Sequence, residues 1–322
     1  MSPEAVIAGP GPDRPGGAGV TGMLAGLGAG AFWGTTFMAP LLAPAFGSVD
    51  ITVGRFLACG LFSLMLLVWQ WWRLPAGQRQ VARPVPGQMI AALGLSVLGY
   101  TGYYLLLVLA IAEAGPALPV LVIGTIPLWL MLLGKPQDLR WRLLMPGLLL
   151  TAAGMAAMFV VGARDVDTAR GAALWRGVAW ALCAAASWTA FGLINARWLT
   201  RHPQIGSTTW SNWLGVAAGL GACVLWVGWG SPWSELVARP GWATFVAVCV
   251  FTGIGAGWVA AVLWNVASRR LSPSLAGQLI VSETVFGLVY AFAWDGTWPL
   301  PLQWLACLLF VLGIVSSIRA HR

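Results

Sequence analysis

Charged side chains are scarce in this sequence of 322 residues. Asp, Glu, Lys and Arg together account for 9% of the chain, and hydrophobic residues for 59%. A soluble domain usually carries about 25% charged residues. A water-soluble fold of this length cannot hide so much apolar surface in its core. The composition therefore excludes a soluble globular protein and predicts an integral membrane protein.

Residues that carry metal or nucleophilic chemistry are also few. The two His residues, His202 and His321, fall outside the apolar runs, and the five Cys all lie inside them without metal-ligand spacing. No G-x-x-x-x-G-K-[ST] loop for ATP is present. We therefore expect no metal, no cofactor and no catalytic residue. The net charge of +8 is spread over short loops and does not indicate a nucleic-acid partner.

Long polar stretches are missing too, which leaves no room for a catalytic or sensor domain. Residues 1–19 are rich in Pro and Gly, lack the features of a signal peptide, and are predicted to be a disordered tail. The remainder divides into apolar runs of ~17–25 residues, each long enough to cross a bilayer as a helix. The predicted fold class is all-α, with ten transmembrane helices over residues 21–42, 51–72, 88–111, 117–134, 143–162, 177–198, 209–229, 242–266, 272–294 and 302–318.

Basic residues are distributed unevenly between the two sets of predicted loops. Of the 18 Lys and Arg residues, thirteen fall on the side of the N-terminus, four fall on the opposite side, and Arg55 lies inside a helix. Because loops rich in positive charge stay in the cytoplasm, both termini are predicted to be cytoplasmic.

The two halves of the chain resemble each other. Matching residues lie 155, 157 and 159 positions apart in three pairs of helices, which are Trp33 and Trp188, Pro116 and Pro273, and Gly147 and Ala306. Each half holds five helices, an odd number, so the second half must enter the membrane from the opposite side. The sequence therefore predicts two inverted five-helix repeats, over residues 20–163 and 174–318, as in many secondary transporters.

These features, in this order, resemble the EamA-type family of the drug/metabolite transporter superfamily over about residues 20–318. The resemblance rests on the AFWGTTF and AASWTAF segments, on Arg55, on the Pro-opened helices four and nine, and on LWNVASRRLSP between helices eight and nine. It implies a ten-helix carrier in a bacterial cytoplasmic membrane that exports amino acids, related metabolites or toxic compounds. It also implies a central cavity lined by helices one, three, four, six, eight and nine.

The chain departs from the pattern of that family in two ways, one of which is that Asp138 and Asp295 stand where many members have a Glu. The other departure is in helix nine. Members commonly carry a Pro where this chain has Thr284, directly after the acidic or apolar position that Glu283 occupies. Since Pro removes a backbone hydrogen bond and bends a helix, its absence predicts a straighter helix nine.

Glu283 is the only acidic residue near the middle of a hydrophobic segment. A carboxylate at that depth costs about 2.5–3.5 kcal/mol by insertion scales, so it is retained where it faces a bundle interior or a water-filled path. It is therefore the first candidate for substrate binding and translocation, either for a substrate amine or for a coupled proton. The alternative is a structural hydrogen bond to a neighbouring helix.

Tryptophans near small or polar residues supply further candidates. Trp264 and Asn265 in helix eight suit an aromatic or cationic substrate, or a hydrogen bond between helices. Trp33 and Trp188, with Thr36 nearby, stand at repeat-related positions that are natural cavity walls. Their alternative role is to fill volume where small residues allow close helix packing.

Helix three holds a cluster of tyrosines, Tyr100, Tyr103 and Tyr104. Tyr100 and Tyr104 are one turn apart and share a face, so they either line a cavity or pack between helices. Arg55, about four residues into helix two, is expected to snorkel to the outer surface or to pair with Asp50.

Small residues at seven-residue spacing occur in helices five and ten. Gly147, Gly154 and Gly313 favour close helix contact, either within the scaffold or at a dimer surface. A homodimer is therefore one hypothesis for a partner, beside the lipid bilayer and a small-molecule substrate.

Two classes of function compete for this pattern. We predict a secondary transporter that works by alternating access between its halves. The alternative is a membrane-embedded enzyme or accessory protein that acts on lipid-linked substrates. Such chemistry needs several acids or His residues at one depth, and the single intramembrane Glu argues against it.

Overall fold

The computed structural model describes residues 15–75, 85–114, 117–163, 171–296 and 298–321. Those residues form helices and connecting turns and contain no strand. Most of the predicted N-terminal tail, residues 1–14, lies outside the described residues. The first helix begins at Pro15, earlier than predicted, and Pro suits the first position of a helix because its fixed φ is already helical.

Ten helices are numbered here in chain order, and two short helices, Ala39–Leu42 and Trp233–Ala238, are left unnumbered. Within the described residues, eight helices are long and apolar enough to cross a membrane, which α1 and α4 are not by the same measure. The ten are α1 Pro15–Gly34, α2 Ser48–Arg73, α3 Pro86–Ala114, α4 in two pieces Ala117–Ile123 and Ile126–Leu133, α5 Trp141–Gly162, α6 Ala172–Arg201, α7 Ser207–Trp229, α8 Trp242–Arg270, α9 Pro273–Asp295 and α10 Pro301–Ala320.

Helices α4 and α9 differ in continuity. The helix of α4 stops at Ile123 and resumes at Ile126, just before Pro127. Pro127 has no N–H to donate to the carbonyl of Ile123, and its ring disfavours a helical conformation at the preceding residue. By contrast, α9 runs without a break through Thr284. The prediction of a straighter ninth helix agrees with this geometry.

Three other helical segments depart from α geometry. A 3-10 turn, Thr35–Met38, follows α1. Single π-helical stretches interrupt α3 at Val97–Thr101 and α8 at Gly253–Val259. Because π stretches shift the phase of the side chains that follow, they change which residues of α3 and α8 face the interior.

A stripe of glycines brings α1 against α9. Gly22, Gly26, Gly30 and Gly34 follow one another at four-residue spacing, and all four face α9 or the turn before it. A methyl group added at Gly30 or Gly34 would stand 3.0 or 3.1 Å from the backbone of Glu283. Small residues at this spacing let two helix backbones approach closely. The stripe therefore fixes the position of the Glu283 backbone.

Glycines also form the crossing of α2 and α7. A methyl group on Gly60 would stand 2.7 Å from the Cα of Gly219, and one on Gly219 would stand 2.9 Å from the Cα of Gly60. The obstacle in each case is backbone, which cannot move aside as a side chain can. This crossing therefore depends on the absence of Cβ atoms.

The α5–α10 pair uses the glycines that the sequence singled out. An added methyl group at Gly147 would stand 3.3 Å from the carbonyl oxygen of Gly313, and one at Gly154 would stand 3.2 Å from that of Ala306. Nearby, Gln278 of α9 donates to Thr151 Oγ1 at 2.8 Å and accepts from Ser317 Oγ at 3.3 Å. These glycines therefore belong to the scaffold within one chain.

We predict that Gly60→Ala destabilises the protein although Ala is the better helix former. Overpacking at the α2–α7 crossing should cost about 1–3 kcal/mol. The matched control is Gly94→Ala in α3, where an added methyl group meets nothing within 4 Å and should be neutral or gain about 0.5–1 kcal/mol. Thermal unfolding in detergent, followed by Trp fluorescence, compares the two. Equal Tm values would show that close approach at Gly60 is not required.

Candidate functional site

Three of the predicted tryptophans meet in the interior. The ring centroids of Trp33 and Trp188 are 6.1 Å apart, and Trp264 lies 5.7 Å from the first and 5.9 Å from the second. The rings come from α1, α6 and α8, and Trp264 is 3% exposed. The structure brings these three predicted site residues together as one cluster, which we call the tryptophan cluster.

An aromatic path leads from this cluster to α2. Trp188 packs against Phe191 at 5.8 Å, Phe191 against Tyr100 at 5.7 Å, and Tyr100 against Phe56 at 5.9 Å. Tyr104 also contacts Phe56, at 6.3 Å. The prediction that Tyr100 and Tyr104 share a face is confirmed. The Tyr104 hydroxyl donates to the carbonyl of Ser48 at 2.5 Å, so it is committed to the start of α2.

Glu283 lies midway along α9 and is partly exposed within the bundle. Among the described residues, no hydrogen bond or ion pair to its carboxylate is found. The charged group that acts on it electrostatically is Arg55 of α2, and Tyr103 of α3 is also within electrostatic range. Tyr103 packs against the same apolar cluster as Trp33 and Trp264. Glu283 is therefore within electrostatic range of Arg55 and Tyr103, and Tyr103 packs on the same apolar cluster as the tryptophans.

Arg55 points inward, and Asp50 is engaged elsewhere. Asp50 accepts bonds from the backbone N–H and hydroxyl of Ser231, at 2.9 and 2.8 Å, and from Arg239 at 3.0 Å. The expected Arg55–Asp50 pair is therefore wrong. Helix α2 begins at Ser48, which places Arg55 about two turns, or roughly 10 Å, inside the helix. Its Nε is buried with no partner among the described residues.

Asn265 turns away from the tryptophan cluster into a polar network. It accepts from Asn195 at 2.8 Å and donates to Ser211 at 2.8 Å, while Asn195 accepts from Trp210 at 2.8 Å. Asn195 and Asn265 are 0% and 1% exposed. The network ties α6, α7 and α8 together near their arginine-bearing ends. This geometry matches the interhelical hydrogen bond that was the alternative role of Asn265.

Thr36 and an apolar groove lie on the other side of the tryptophan cluster. The Thr36 hydroxyl donates to the carbonyl of Trp33 at 2.7 Å, within the 3-10 turn. The groove has a volume of about 440 Å³ and contains none of the predicted site residues; its walls are Thr35, Met38, Ala39, Leu42, Thr244, Ala247, Val248, Phe251, Thr252, Tyr290 and Trp294. Apolar walls suit hydrocarbon better than a charged solute. The interior beside Glu283 is therefore the candidate site.

Sequence reasoning named Arg55 and Tyr103 but assigned neither to the site. In the structure Tyr103 is within electrostatic range of both Glu283 and Arg55. Arg55 was assigned to the surface because the start of α2 was placed three residues too late.

A bundle of apolar helices that encloses a few unpaired polar groups defines a multi-pass membrane protein of the transporter class. The sequence model of the EamA-like transporter family matches residues 175–319. The chain is also 32% identical, over 318 residues, to the inner membrane protein YtfF of Escherichia coli (strain K12), covering 94% of this chain and 96% of that protein. The chain therefore belongs to the EamA-like transporter family of the drug/metabolite transporter superfamily.

A solved crystal structure shares the fold. It covers 94% of this chain and 99% of its own, with a TM-score of 0.72 and 20% sequence identity. At that identity the likeness concerns the fold alone. Proteins of the EamA-like family are in general transporters and not enzymes, which agrees with the sequence analysis.

We predict that Asn195 and Asn265 are energetically coupled. A double-mutant cycle of Asn195→Ala and Asn265→Ala should give an interaction of about 0.6–1.7 kcal/mol, because each amide removed leaves its partner without a hydrogen bond. Unfolding by SDS in mixed micelles provides the free energies. Asn265→Ala combined with Thr151→Ala is the control, since Thr151 belongs to the separate Gln278 cluster. Additivity in both cycles would mean that the amide pair does not form.

Proposed function

We propose that the protein is a secondary transporter that exports amino acids, related small metabolites or toxic compounds across a bacterial cytoplasmic membrane by alternating access. The observation that carries the proposal is the Glu283 carboxylate, which lies in the interior of an apolar bundle without a hydrogen-bonding partner among the described residues. A charge at that depth is costly unless water, a proton or a solute reaches it. Membership of a transporter family supports the solute.

We propose further that the chain crosses the membrane ten times in two inverted repeats. Under a two-fold axis, equivalent residues contact each other or exchange contacts. Trp33 touches its counterpart Trp188, and Gly60 touches Gly219, which lies 159 positions later. The π stretches begin at Val97 and Gly253, 156 positions apart. These separations in residue number match the offsets of 155 to 159 read from the sequence. The match of the family model to residues 175–319 supports the second repeat.

The helix contacts support the same symmetry. Helix α1 packs on α8 and α9, and α6 packs on α3 and α4, as an exchange of the two halves requires. Helices α2 and α7 pack on each other, as do α5 and α10. Rocking one half against the other would then open one end of the interior and close the opposite end.

We infer that the tryptophan cluster and the Asn195–Asn265 network close the interior toward the ends of α6 and α8 that carry Arg201 and Arg270. We infer that these two layers form the cytoplasmic gate. The tryptophans would separate, and the network would rearrange, when the site opens toward the cytoplasm. Trp33, Trp188 and Trp264 then border the substrate in one state and seal it off in the other.

The proposed orientation of the chain in the membrane gives a direct prediction. With both termini in the cytoplasm, green fluorescent protein fused after the last residue should fluoresce, and alkaline phosphatase at the same place should be inactive. Phosphatase fused after Gly230, at the end of α7, should be active because that loop would face the periplasm. The reverse pattern would invert the proposed topology and would place the gate on the periplasmic side.

We predict that Glu283→Gln abolishes export. Cells overproducing the wild type should survive toxic amino-acid analogues or amphipathic cations that kill cells producing Glu283→Gln at equal membrane level. The loss should be at least about tenfold in the tolerated concentration, which corresponds to about 1.4 kcal/mol. Glu113→Gln is the control, since Glu113 is a surface carboxylate paired with Arg176. Protection that persists in Glu283→Gln would assign Glu283 a structural role.

Proton coupling is tested separately in proteoliposomes. If Glu283 carries the proton, a pH gradient should accelerate substrate exchange by the wild type and not by Glu283→Gln. The other titratable or charged groups that face it are Arg55 from α2 and Tyr103 from α3. Tyr103→Phe should therefore retain the response. An unchanged response to the gradient in Glu283→Gln would remove the proton role while leaving export intact.

A further inference from the structure

The apolar groove described above lies at the ends of α1, α8 and α9 that are remote from Arg270. The 3-10 turn Thr35–Met38 forms one wall, and the first three turns of α8 and the last two turns of α9 form the others. Because α8 and α9 are long and apolar enough to cross a membrane, these walls are expected at the depth of lipid hydrocarbon. Phe251 and Trp294 of the walls are 60% and 59% exposed. The groove therefore opens sideways, toward lipid.

Three hydroxyl groups in the walls of the groove donate to backbone carbonyls of the bundle. They belong to Thr35, Thr252 and Tyr290, and the donor–acceptor distances are 2.7, 2.7 and 3.3 Å. Their protons are therefore not available to an occupant. A charged solute would lose its hydration there without replacement. A hydrocarbon chain loses nothing, because lipid tails are as apolar as the side chain of Leu.

The floor of the groove is buried. Ala39, Val248 and Thr252 are 3%, 6% and 2% exposed. A recess of about 440 Å³ left empty would deprive its walls of dispersion contacts. It holds roughly fifteen groups of about 30 Å³, the volume of one water molecule in the liquid, and a methylene group is similar in size. The recess therefore has the capacity of one acyl chain.

A second groove continues from the first toward the loop before α8. It has a volume of about 330 Å³, shares Leu42 and Thr244 with the first, and ends at Pro240 and Gly241. Since Gly241 immediately precedes α8, this end lies at the membrane surface under the proposed ten-helix topology. Together the two grooves reach from hydrocarbon depth to the headgroup level, as a phospholipid chain and its ester group do.

The cation beside the second groove is already engaged. The Arg239 guanidinium stands 5.9 Å from the centroid of the Phe46 ring, which lines this groove. It donates to Asp50 at 3.0 Å and to the Ser231 hydroxyl at 3.0 Å. A lipid phosphate would have to displace these partners, so we expect the grooves to select an acyl chain and not a headgroup.

We propose that the two grooves bind one acyl chain of a membrane phospholipid, with the ester end of the chain at the second groove. The inference goes beyond the proposed function, because the grooves contain none of the residues assigned to substrate binding and open to the bilayer. The chain packs against the 3-10 turn after α1 and against Thr252, the residue before the π stretch of α8. It therefore supports two irregular segments from the lipid side.

Photo-crosslinking in nanodiscs tests the proposal without detergent, whose own chain would compete. The bilayer contains phosphatidylethanolamine and phosphatidylglycerol, and in each experiment one of the two carries a diazirine near the middle of an acyl chain. Mass spectrometry of peptides then locates the label. Val248 and Thr252 should be labelled although they are buried, whereas Leu144, which is 0% exposed and lies away from the groove, should not. Both headgroups should give the same pattern.

Two substitutions fill the groove. Ala247→Trp and Thr244→Trp each place a ring at an exposed position in its wall. In both variants, labelling of the two buried wall residues should fall to the level of Leu144. Ala243→Trp, on the same helix and also exposed but outside the walls, is the matched control and should be labelled as the wild type is.

Two residues outside the groove report on the fold in every variant. Val250, 43% exposed, should stay labelled, and Leu144 should stay unlabelled unless the helices separate. The inference is overturned if the buried wall residues of the wild type are labelled no more than Leu144. It is also overturned if both substitutions that fill the groove leave that labelling unchanged. Labelling by only one of the two lipids would overturn it as well, because recognition would then lie in the headgroup.

Discussion

The cost of leaving a polar group without a partner away from water governs this molecule. Helices meet that cost for the backbone, and a small number of side-chain clusters meet it for several of the remaining polar groups. Asp50 is satisfied by Ser231 and Arg239 at one end of the bundle. The pair Asn195 and Asn265 is satisfied between α6, α7 and α8. Each cluster joins helices that are distant in sequence. The hydrogen bonds that satisfy these polar groups therefore also hold the tertiary structure together.

Other polar groups contrast with these hydrogen-bonded clusters because they have no partner in the part of the chain that the structure describes. The Glu283 carboxylate has no hydrogen-bonding partner among the described residues, and neither has the buried Nε of Arg55. A polar group left in this way is costly unless water, a proton or a solute reaches it. The glycine stripe of α1 packs closely on the backbone of Glu283 and so holds this carboxylate in its place in the bundle.

Much of this arrangement could be predicted from the sequence. The apolar runs located the helices, and the offset between halves paired Trp33 with Trp188 before any contact was known. Arg55 and Tyr103 were named from the sequence but not assigned to the site. Helix α2 begins three residues earlier than predicted, which places Arg55 nearly one turn further from its start. No sequence rule locates which helices border Tyr103, because that depends on tertiary contacts between α2, α3 and α9.

The charges of the candidate site occupy only one side of the proposed two-fold axis. In the first repeat the counterpart of Glu283 is Ile126, which is 5% exposed in the apolar core beside Leu130. The counterpart of Arg55 lies near Asn212, which accepts a bond from Trp258 at 2.6 Å. A symmetric scaffold can therefore rock between equivalent shapes while its charges remain asymmetric. In the proposed mechanism, the repeat accounts for the motion, and the departures from the repeat account for the chemistry.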